Sequence, residues 1–249
     1  MSKPTSHGIL SEFPSCSLIV TAAGAGTRFG GYKQLAKVMG KPLLEHALDG
    51  FNACLFTERI VVLPEEFFRE GHWTRLCRMN PALTEFRAVV GRETRAESVL
   101  EGILALRDEC EFVAVHDGAR PFPPIDGLKE CYHYLNRHPG TAAAIVGSRV
   151  TDTIKRVGPD GKTITATEPR DELRRAETPQ VARINHLARA LRSAEGPEAT
   201  DEADALARHG HRVVCLTHQG FNPKITVPAD MAVVEAWLRN RLSLLDETQ

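Results

Sequence analysis

The sequence predicts a single α/β domain built on a mostly parallel sheet with helices on both faces. Short apolar segments rich in β-branched residues alternate with longer segments of helical period. The predicted strands are apolar throughout rather than alternating, which is typical of parallel strands buried on both faces. The 249 residues are enough for one large domain. Together these observations favour a Rossmann-like fold.

The order of the predicted elements follows from this alternation. A proline at position 42 suits a first helical turn, and apolar residues recur at helical spacing in the segment that begins at 94. The predicted strands are 17–21, 59–63, 86–90, 112–116, 142–146 and 212–216, and the predicted helices are 42–54, 65–79, 94–107, 128–135, 183–193, 201–208 and 228–242. We expect residues 1–15 to be a flexible terminus and residues 16–243 to form the one domain.

Residues 149–178 interrupt the alternation. Segments 151–157 and 163–167 have the composition of two strands on either side of an Asp160-Gly161 turn. We expect a protruding β-hairpin arm at about 149–170. Because an exposed pair of strands is marginally stable alone, this arm is expected to pack on another subunit.

Bulk composition excludes several classes of protein. The net charge of -1 does not favour a nucleic-acid binder, so any positive charge that binds phosphate must be local. The six cysteines have no Cys-x-x-Cys spacing, which favours reduced thiols over a disulfide framework or a zinc site. No apolar run approaches the roughly 20 residues needed to span a bilayer, and the polar first residues lack a signal-peptide core. We therefore expect a cytoplasmic protein that does not associate with membranes.

A glycine-rich loop, AAGAGTR at positions 22–28, follows the first predicted strand. Glycines there let backbone N–H groups approach phosphate oxygens closely. The loop lacks the Gly-Lys-Ser/Thr ending of a Walker A motif, and Gly24, Gly26 and Gly30 have the wrong last spacing for a dinucleotide fingerprint. Arg28 and Lys33 add a bidentate cation and a point charge that suit phosphate.

A second polar motif, HDGARP at positions 116–121, ends another buried strand. Asp117 is placed to hold Mg²⁺ together with substrate phosphates, or alternatively to cap a helix or pair with Arg120. His116 is interpreted as a structural hydrogen-bonding residue. Since ligand crevices of parallel sheets lie at the carboxyl ends of strands, this motif and the glycine loop are expected to share one crevice.

Taken together, the motifs resemble the 2-C-methyl-D-erythritol 4-phosphate cytidylyltransferases of the non-mevalonate isoprenoid pathway. The resemblance extends from about residue 17 to 237, although the stretch between Arg28 and Lys33 is short and Tyr32 replaces the usual proline. The motifs that carry it, in order, are AAGAGTR, Lys33-Gln34, RAESV at 95–99, HDGARP, DTIKR at 152–156, Thr178-Pro179-Gln180, TDEA at 200–203 and Lys224-Ile225-Thr226.

This resemblance implies transfer of a cytidylyl group from CTP to 2-C-methyl-D-erythritol 4-phosphate, with release of pyrophosphate, by a homodimer that uses Mg²⁺. It assigns a role to each matching position. The implied catalytic cations are Arg28, Lys33 and Lys224; the nucleotide-binding residues are Ala22, Ala23, Gly24, Ala25, Gly26, Glu93 and Ser98; the acceptor-binding residues are Arg120, Thr153, Arg170, Thr178 and Thr200; and the metal ligand is Asp117. Thr153 and Arg170 lie on the arm and are expected to serve the neighbouring subunit.

Three alternatives are weighed against this interpretation. A ribitol 5-phosphate or other polyol-phosphate cytidylyltransferase has a very similar loop and arm. An NAD-dependent dehydrogenase would need an acidic residue at the end of the second strand, where this chain has Leu63-Pro64. A non-catalytic nucleotide sensor has no need of a second phosphate site, so Arg170 and Lys224 count against it.

Overall fold

The computed structural model describes residues 11–24, 29–193 and 199–246. Within these ranges most of the predicted strands occur close to their expected positions. The strands are β1 Ser11–Phe13, β2 Cys16–Thr21, β3 Lys37–Val38, β4 Lys41–Pro42, β5 Cys54–Phe56, β6 Arg59–Leu63, β7 Arg87–Val90, β8 Phe112–Asp117, β9 Ala143–Arg149, β10 Lys155–Val157, β11 Ile164–Thr167, β12 Arg174–Arg183 and β13 Val213–Thr217.

A seven-stranded sheet in the order β13-β9-β12-β8-β2-β6-β7 forms the centre of the molecule. The pairs β13–β9, β8–β2, β2–β6 and β6–β7 are parallel, which confirms a mostly parallel sheet. β12 runs antiparallel to both of its neighbours, β8 and β9.

The sequence analysis missed β12, since it left residues 170–182 without an element. The first part of this strand is polar and exposed, and only the stretch from Glu177 to Ala182 is buried. A ten-residue strand forms there because β8 and β9 offer hydrogen-bonding edges on both sides, which a local apolar pattern does not reveal.

The helices follow the prediction with shifted ends. They are α1 Leu43–Asp49, α2 Glu65–Arg69, α3 His72–Met79, α4 Arg95–Leu104, α5 Ile125–Arg137, α6 Ile184–Arg192, α7 Glu202–Arg208 and α8 Ala229–Asp246. The predicted helix 65–79 is two helices, because Gly71 between them has φ +70, a left-handed conformation that ends α2. The predicted helix 42–54 ends at Asp49, and its last residue, Cys54, begins strand β5.

Helices cover both faces of the sheet, and side chains alternate along each strand to meet them. In β2, Leu18 and Val20 pack with α1 and α5 on one face, whereas Ile19 packs with α4 and α6 on the other. A smaller cluster of Val38, Leu43, Ile225 and Val234 holds α8 against the β3–β4 ribbon. This cluster fixes the segment that leads from β13 to α8 at the edge of the cleft described below.

Two peripheral features differ from the expectations. β1 pairs with β5 and Phe13 is buried in the core, so residues 11–15 belong to the fold rather than to a flexible terminus. Segments 151–157 and 163–167 form shorter strands than predicted: β10 and β11 pair antiparallel, with Gly161 at φ +66 in the turn.

Candidate functional site

An open cleft lies at the carboxyl ends of β2, β7 and β8. Its unfilled space, which includes part of the open solvent at its mouth, is about 620 Å³. The residues that line it come from the glycine loop, the β7–α4 connection, the end of β8 and the segment before α8: Thr21, Ala22, Ala23, Gly24, Lys33, Gln34, Arg92, Glu93, Thr94, Arg95, Ser98, Asp117, Gly118, Ala119 and Lys224. The two polar motifs therefore share one crevice, as the sequence predicts.

The first part of the glycine loop forms one wall of the cleft. Gln34 Nε2 donates hydrogen bonds to the backbone oxygens of Ala22 and Gly24, the latter at 3.0 Å. Gln34 is buried, so its amide fixes the course of the loop from behind. Sequence reasoning gave Gln34 no role of its own, although it follows the predicted catalytic Lys33. Ala25, Gly26 and Arg28, which were also assigned to this site, lie outside the described residues.

Lys33 and Lys224 line the same cleft from two directions. The Lys33 ammonium donates to the backbone oxygen of Ile225 at 3.4 Å, so it is tied to the segment that carries Lys224. Ile225 N in turn donates to Ala119 O at 2.9 Å, which joins that segment to the loop after β8. Lys33 therefore lines the cleft even though the stretch between Arg28 and Lys33 is short.

Asp117 is a buried carboxylate among cations. Its Oδ1 accepts from Arg95 Nε at 3.0 Å, its Oδ2 lies 2.8 Å from Lys224 Nζ, and Arg120 Nε lies 3.7 Å away. Burial by itself raises the pKa of the Asp117 carboxyl, but the charges of Arg95, Lys224 and Arg120 outweigh it and hold that pKa well below its ordinary value. Asp117 is therefore ionised. It lines the cleft and also forms the ion pair with Arg120 that the sequence offered as an alternative.

Arg95 is a cleft residue to which sequence reasoning gave no separate role. Its guanidinium binds both oxygens of Glu202, at 2.6 and 3.0 Å, while its Nε reaches Asp117. The sequence does contain a signal for its placement, because Thr94 and Glu97 form a capping box that starts α4. The capping box places Arg95 in the first turn of a helix that begins at the cleft.

Ser98 and Glu93 line the cleft from α4 and from the β7–α4 connection. Ser98 Oγ accepts from Arg92 N at 3.0 Å, so this hydroxyl shapes the β7–α4 connection as well as facing the cleft. Glu93 is exposed at the cleft rim.

The five predicted acceptor-binding residues are not among those that line this cleft. Arg120 and Thr178 are buried behind it: Arg120 Nη1 donates to Asn222 O at 2.7 Å, and Thr178 Oγ1 accepts from Asp117 N at 3.1 Å. Thr153, Arg170 and Thr200 are exposed elsewhere on the chain. Their roles in substrate binding remain predictions.

His116 is the structural residue that the sequence analysis expected. Its Nε2 donates to Arg120 O at 2.9 Å and its Nδ1 lies 3.0 Å from the Thr178 hydroxyl, so a neutral imidazole with its proton on Nε2 satisfies both contacts. Burial lowers the pKa of His116 to about 4. His116 therefore braces the loop that carries Asp117 and Arg120.

Two carboxylates, Asp117 and Glu93, line the cleft, and no group of three or more His, Cys, Asp or Glu residues within the described ranges is arranged to hold a metal by itself. That donor set fits a cation that takes most of its ligands from substrate phosphates and water. None of the helices in the described part of the chain has the length and apolar character required to cross a membrane. The six cysteines, all among the described residues, form no disulfide.

The fold and the cleft together define a nucleotide-binding α/β protein of the nucleotidyltransferase class. The family model for 2-C-methyl-D-erythritol 4-phosphate cytidylyltransferase matches residues 16–240. A protein of that name from Xanthomonas campestris pv. campestris strain 8004 is 42% identical over 232 residues, covering 90% of this chain and 84% of the relative.

Solved structures agree with the family match. A crystal structure of 4-diphosphocytidyl-2C-methyl-D-erythritol synthase from Anaerococcus prevotii superposes with a TM-score of 0.75 at 26% identity, covering 90% of this chain and 96% of that one. The cytidylyltransferase from Thermus thermophilus gives 0.69 at 27% identity, with coverages of 89% and 98%. The chain belongs to the 2-C-methyl-D-erythritol 4-phosphate cytidylyltransferase family.

Proposed function

We propose that this protein transfers the cytidylyl group of CTP to 2-C-methyl-D-erythritol 4-phosphate, giving 4-diphosphocytidyl-2-C-methyl-D-erythritol and pyrophosphate. Family membership supports the reaction. The observation in the structure that carries it is the convergence of Lys33, Lys224 and Asp117 on one cleft beside the loop Ala22–Gly24. A dehydrogenase or a nucleotide sensor does not require this arrangement.

The chemistry needs positioning and charge neutralisation more than proton transfer. An oxygen of the acceptor phosphate forms a bond to the α-phosphorus of CTP while the bond from that phosphorus to the bridging oxygen of pyrophosphate breaks. A phosphate monoester is already an anionic nucleophile, so no general base is required. Two polyanions must approach each other, and Lys33, Lys224 and Arg28 would offset their repulsion and stabilise the charge of the transition state.

The nucleotide would lie along the glycine loop. Ala22 N already donates to Val62 O at 2.8 Å, so in the segment 22–26 the backbone N–H groups after Ala22 would meet the triphosphate. Ser98 and Glu93, which line the same cleft, would suit the ribose and base. Buried Gln34 supports this assignment because its amide fixes the loop through the backbone oxygens of Ala22 and Gly24.

Enzymes of the nucleotidyltransferase class generally use a divalent metal, and we propose Mg²⁺ for this one. Asp117 would hold it, with the phosphates of CTP supplying further oxygens. A bound Mg²⁺ would neutralise charge on the triphosphate and favour departure of pyrophosphate.

The acceptor site is proposed to form between two subunits. Arg120, Thr178 and Thr200 would contribute from one chain, and Thr153 and Arg170 from the β10–β11 hairpin region of the other. Val157 and Ile164 on this hairpin are 48% and 61% exposed, and burial of such side chains against a second copy would stabilise a homodimer. We also propose a cytoplasmic location for the protein, as the sequence leads us to expect.

The test is release of pyrophosphate in the presence of Mg²⁺. CTP, UTP and ATP are each supplied with methylerythritol phosphate and with ribitol 5-phosphate. We expect release with CTP and methylerythritol phosphate at a rate well above the other pairs. Preference for ribitol 5-phosphate would transfer the assignment to that acceptor, and no release with either polyol phosphate would refute the proposed function.

A further inference from the structure

A buried carboxylate, Glu177, lies behind the cleft without lining it. Its side chain is 3% exposed. In β12 the regular pairing with β9 is interrupted between Ala176 and Gln180, and Glu177 lies in this interruption. Its side chain accepts hydrogen bonds from three residues on two segments of the chain, whereas its neighbour Thr178 contacts the end of β8.

The two oxygens of Glu177 have different partners. Oε1 accepts from the Ser148 hydroxyl at 2.7 Å, on strand β9. Oε2 accepts from His218 Nε2 at 3.0 Å and from Asn222 Nδ2 at 2.9 Å, both on the segment that leads to α8. Burial alone raises the pKa of the Glu177 carboxyl, but the hydrogen bonds of Ser148 and His218 and the charge of Arg120 lower it overall, so the group is an ionised acceptor.

Asn222 connects this carboxylate to the cleft. Its Nδ2 also donates to Thr178 O at 2.9 Å, and its backbone oxygen accepts from Arg120 Nη1 at 2.7 Å. Asn222 is buried, and Lys224 follows it by two residues with its ammonium on Asp117. Movement of Asn222 would therefore displace both Lys224 and Arg120.

We propose that Glu177 is a positioning residue that sets Lys224 and Arg120 for phosphate binding by anchoring Asn222. It does not touch substrate. Without it, His218 Nε2 would lose its acceptor and the Asn222 amide would keep only Thr178 O, so the segment would shift to satisfy the freed donors. This inference rests on the proposed cytidylyl transfer, because it concerns the cations that serve that reaction.

The kinetic test compares Glu177→Ala with Glu177→Gln. Glutamine keeps one oxygen for Asn222 and His218, and its amide can donate to the Ser148 hydroxyl, so Glu177→Gln should retain most of the activity. Glu177→Ala should lower kcat by about 10²-fold, the scale expected when reacting groups are misplaced by about 1 Å. The KM for CTP should stay within about twofold, since the partners of the Glu177 carboxylate do not include Glu93, Ser98 or residues 22–24.

Ser148→Ala is the matched control. Ser148 also donates to the Glu177 carboxylate, but it lies on β9 and not on the segment that carries Lys224. Its kcat should remain near that of the wild type. Asn222→Ala should reproduce the loss seen in Glu177→Ala, and the double variant should be no worse than either one, since both break one connection. If Glu177→Ala does not fold, Asn222→Ala and the glutamine variant still provide the comparison.

Three results would overturn the inference: a normal kcat in Asn222→Ala, no rescue by glutamine, or an equal loss in Ser148→Ala. A crystal structure of Asn222→Ala gives a readout that does not depend on turnover. We expect the distance between Lys224 Nζ and Asp117 Oδ2 to increase by about 1 Å or more. If the wild type releases no pyrophosphate, the proposed function fails, whereas an unmoved Lys224 in that crystal structure would refute the positioning role itself.

Discussion

Arg95 and Glu202 form a bidentate ion pair that joins the start of α4 to the start of α7. The Arg95 guanidinium donates to both carboxylate oxygens, at 2.6 and 3.0 Å, and the Glu202 side chain is 1% exposed. Burial alone lowers the pKa of Arg95, but Glu202 and Asp117 outweigh it and raise that pKa, so the guanidinium stays charged. The same guanidinium orients Asp117 in the cleft.

Loss of this pair is expected to be costly. Glu202→Ala should lower the free energy of unfolding by about 3–5 kcal/mol, because it leaves the largely buried Arg95 with one anionic partner fewer. Urea denaturation measures the change. Glu101→Ala is the control, since Glu101 on α4 pairs with the exposed Arg92 and should cost no more than about 1 kcal/mol. Equal costs for the two variants would contradict this account of the buried pair.

The cleft lysines are expected to matter for turnover rather than for stability. Lys33→Ala should reduce kcat by about 10² to 10³-fold, as for other groups that stabilise transition-state charge, with little change in the melting temperature. Arg28→Ala should behave in the same way. Lys37→Ala removes an exposed lysine four positions away that does not line the cleft, and it should leave pyrophosphate release unchanged. Near-normal kcat in both Lys33→Ala and Arg28→Ala would contradict the assignment.

His116 should make stability depend on pH. Its pKa falls from 6.5 to about 4 on folding, so between these values the unfolded chain binds more protons than the folded one. This contribution is fully present above pH 6.5 and is lost as the pH falls toward 4, by up to about 3 kcal/mol. Urea titrations at several pH values measure it. In His116→Gln the slope over this window should be smaller; an unchanged slope would show that other groups cause it.

Gly91 packs against Ala23 and Ser98, two residues that line the cleft. A Cβ at this position would lie 2.9 Å from Ser98 Oγ and closer still to the Cβ of Ala23. Gly91→Ala should therefore destabilise the fold by about 1–3 kcal/mol and weaken CTP binding, which calorimetry would measure. Gly140→Ala, where no atom lies within 4 Å of the added Cβ, is the matched control and should bind CTP normally.

The hairpin is predicted to hold two subunits together. Ile164→Asp places a charge on a side chain that is 61% exposed in the single chain, so the monomer should keep its fold. If this face is buried in a homodimer, the variant should shift toward monomer in light scattering and lose activity, since Thr153 and Arg170 would no longer reach the neighbouring site. Lys162→Asp in the hairpin turn is the control. A wild-type monomer with full activity would refute the dimeric site.

The sequence by itself determined the alternation of strands and helices, the parallel sheet and the cleft at its carboxyl edge. Each of these follows from local patterns: apolar runs form strands buried on both faces, and polar residues after such strands gather at one edge. Lys33 and Asp117 could be placed together for that reason, whereas Lys224 was assigned to the same site only through the family resemblance.

Only the tertiary structure determined which buried groups position the cleft residues Lys33, Lys224 and Asp117. The antiparallel strand β12 is half polar, and its hydrogen bonds come from β8 and β9, so no local pattern marks it. Arg95 and Glu202 are 107 residues apart, and Glu177 and Asn222 are 45 apart. Pairings between residues so far apart in sequence depend on how the chain packs, because charged and polar residues of these types occur equally well on a solvated surface.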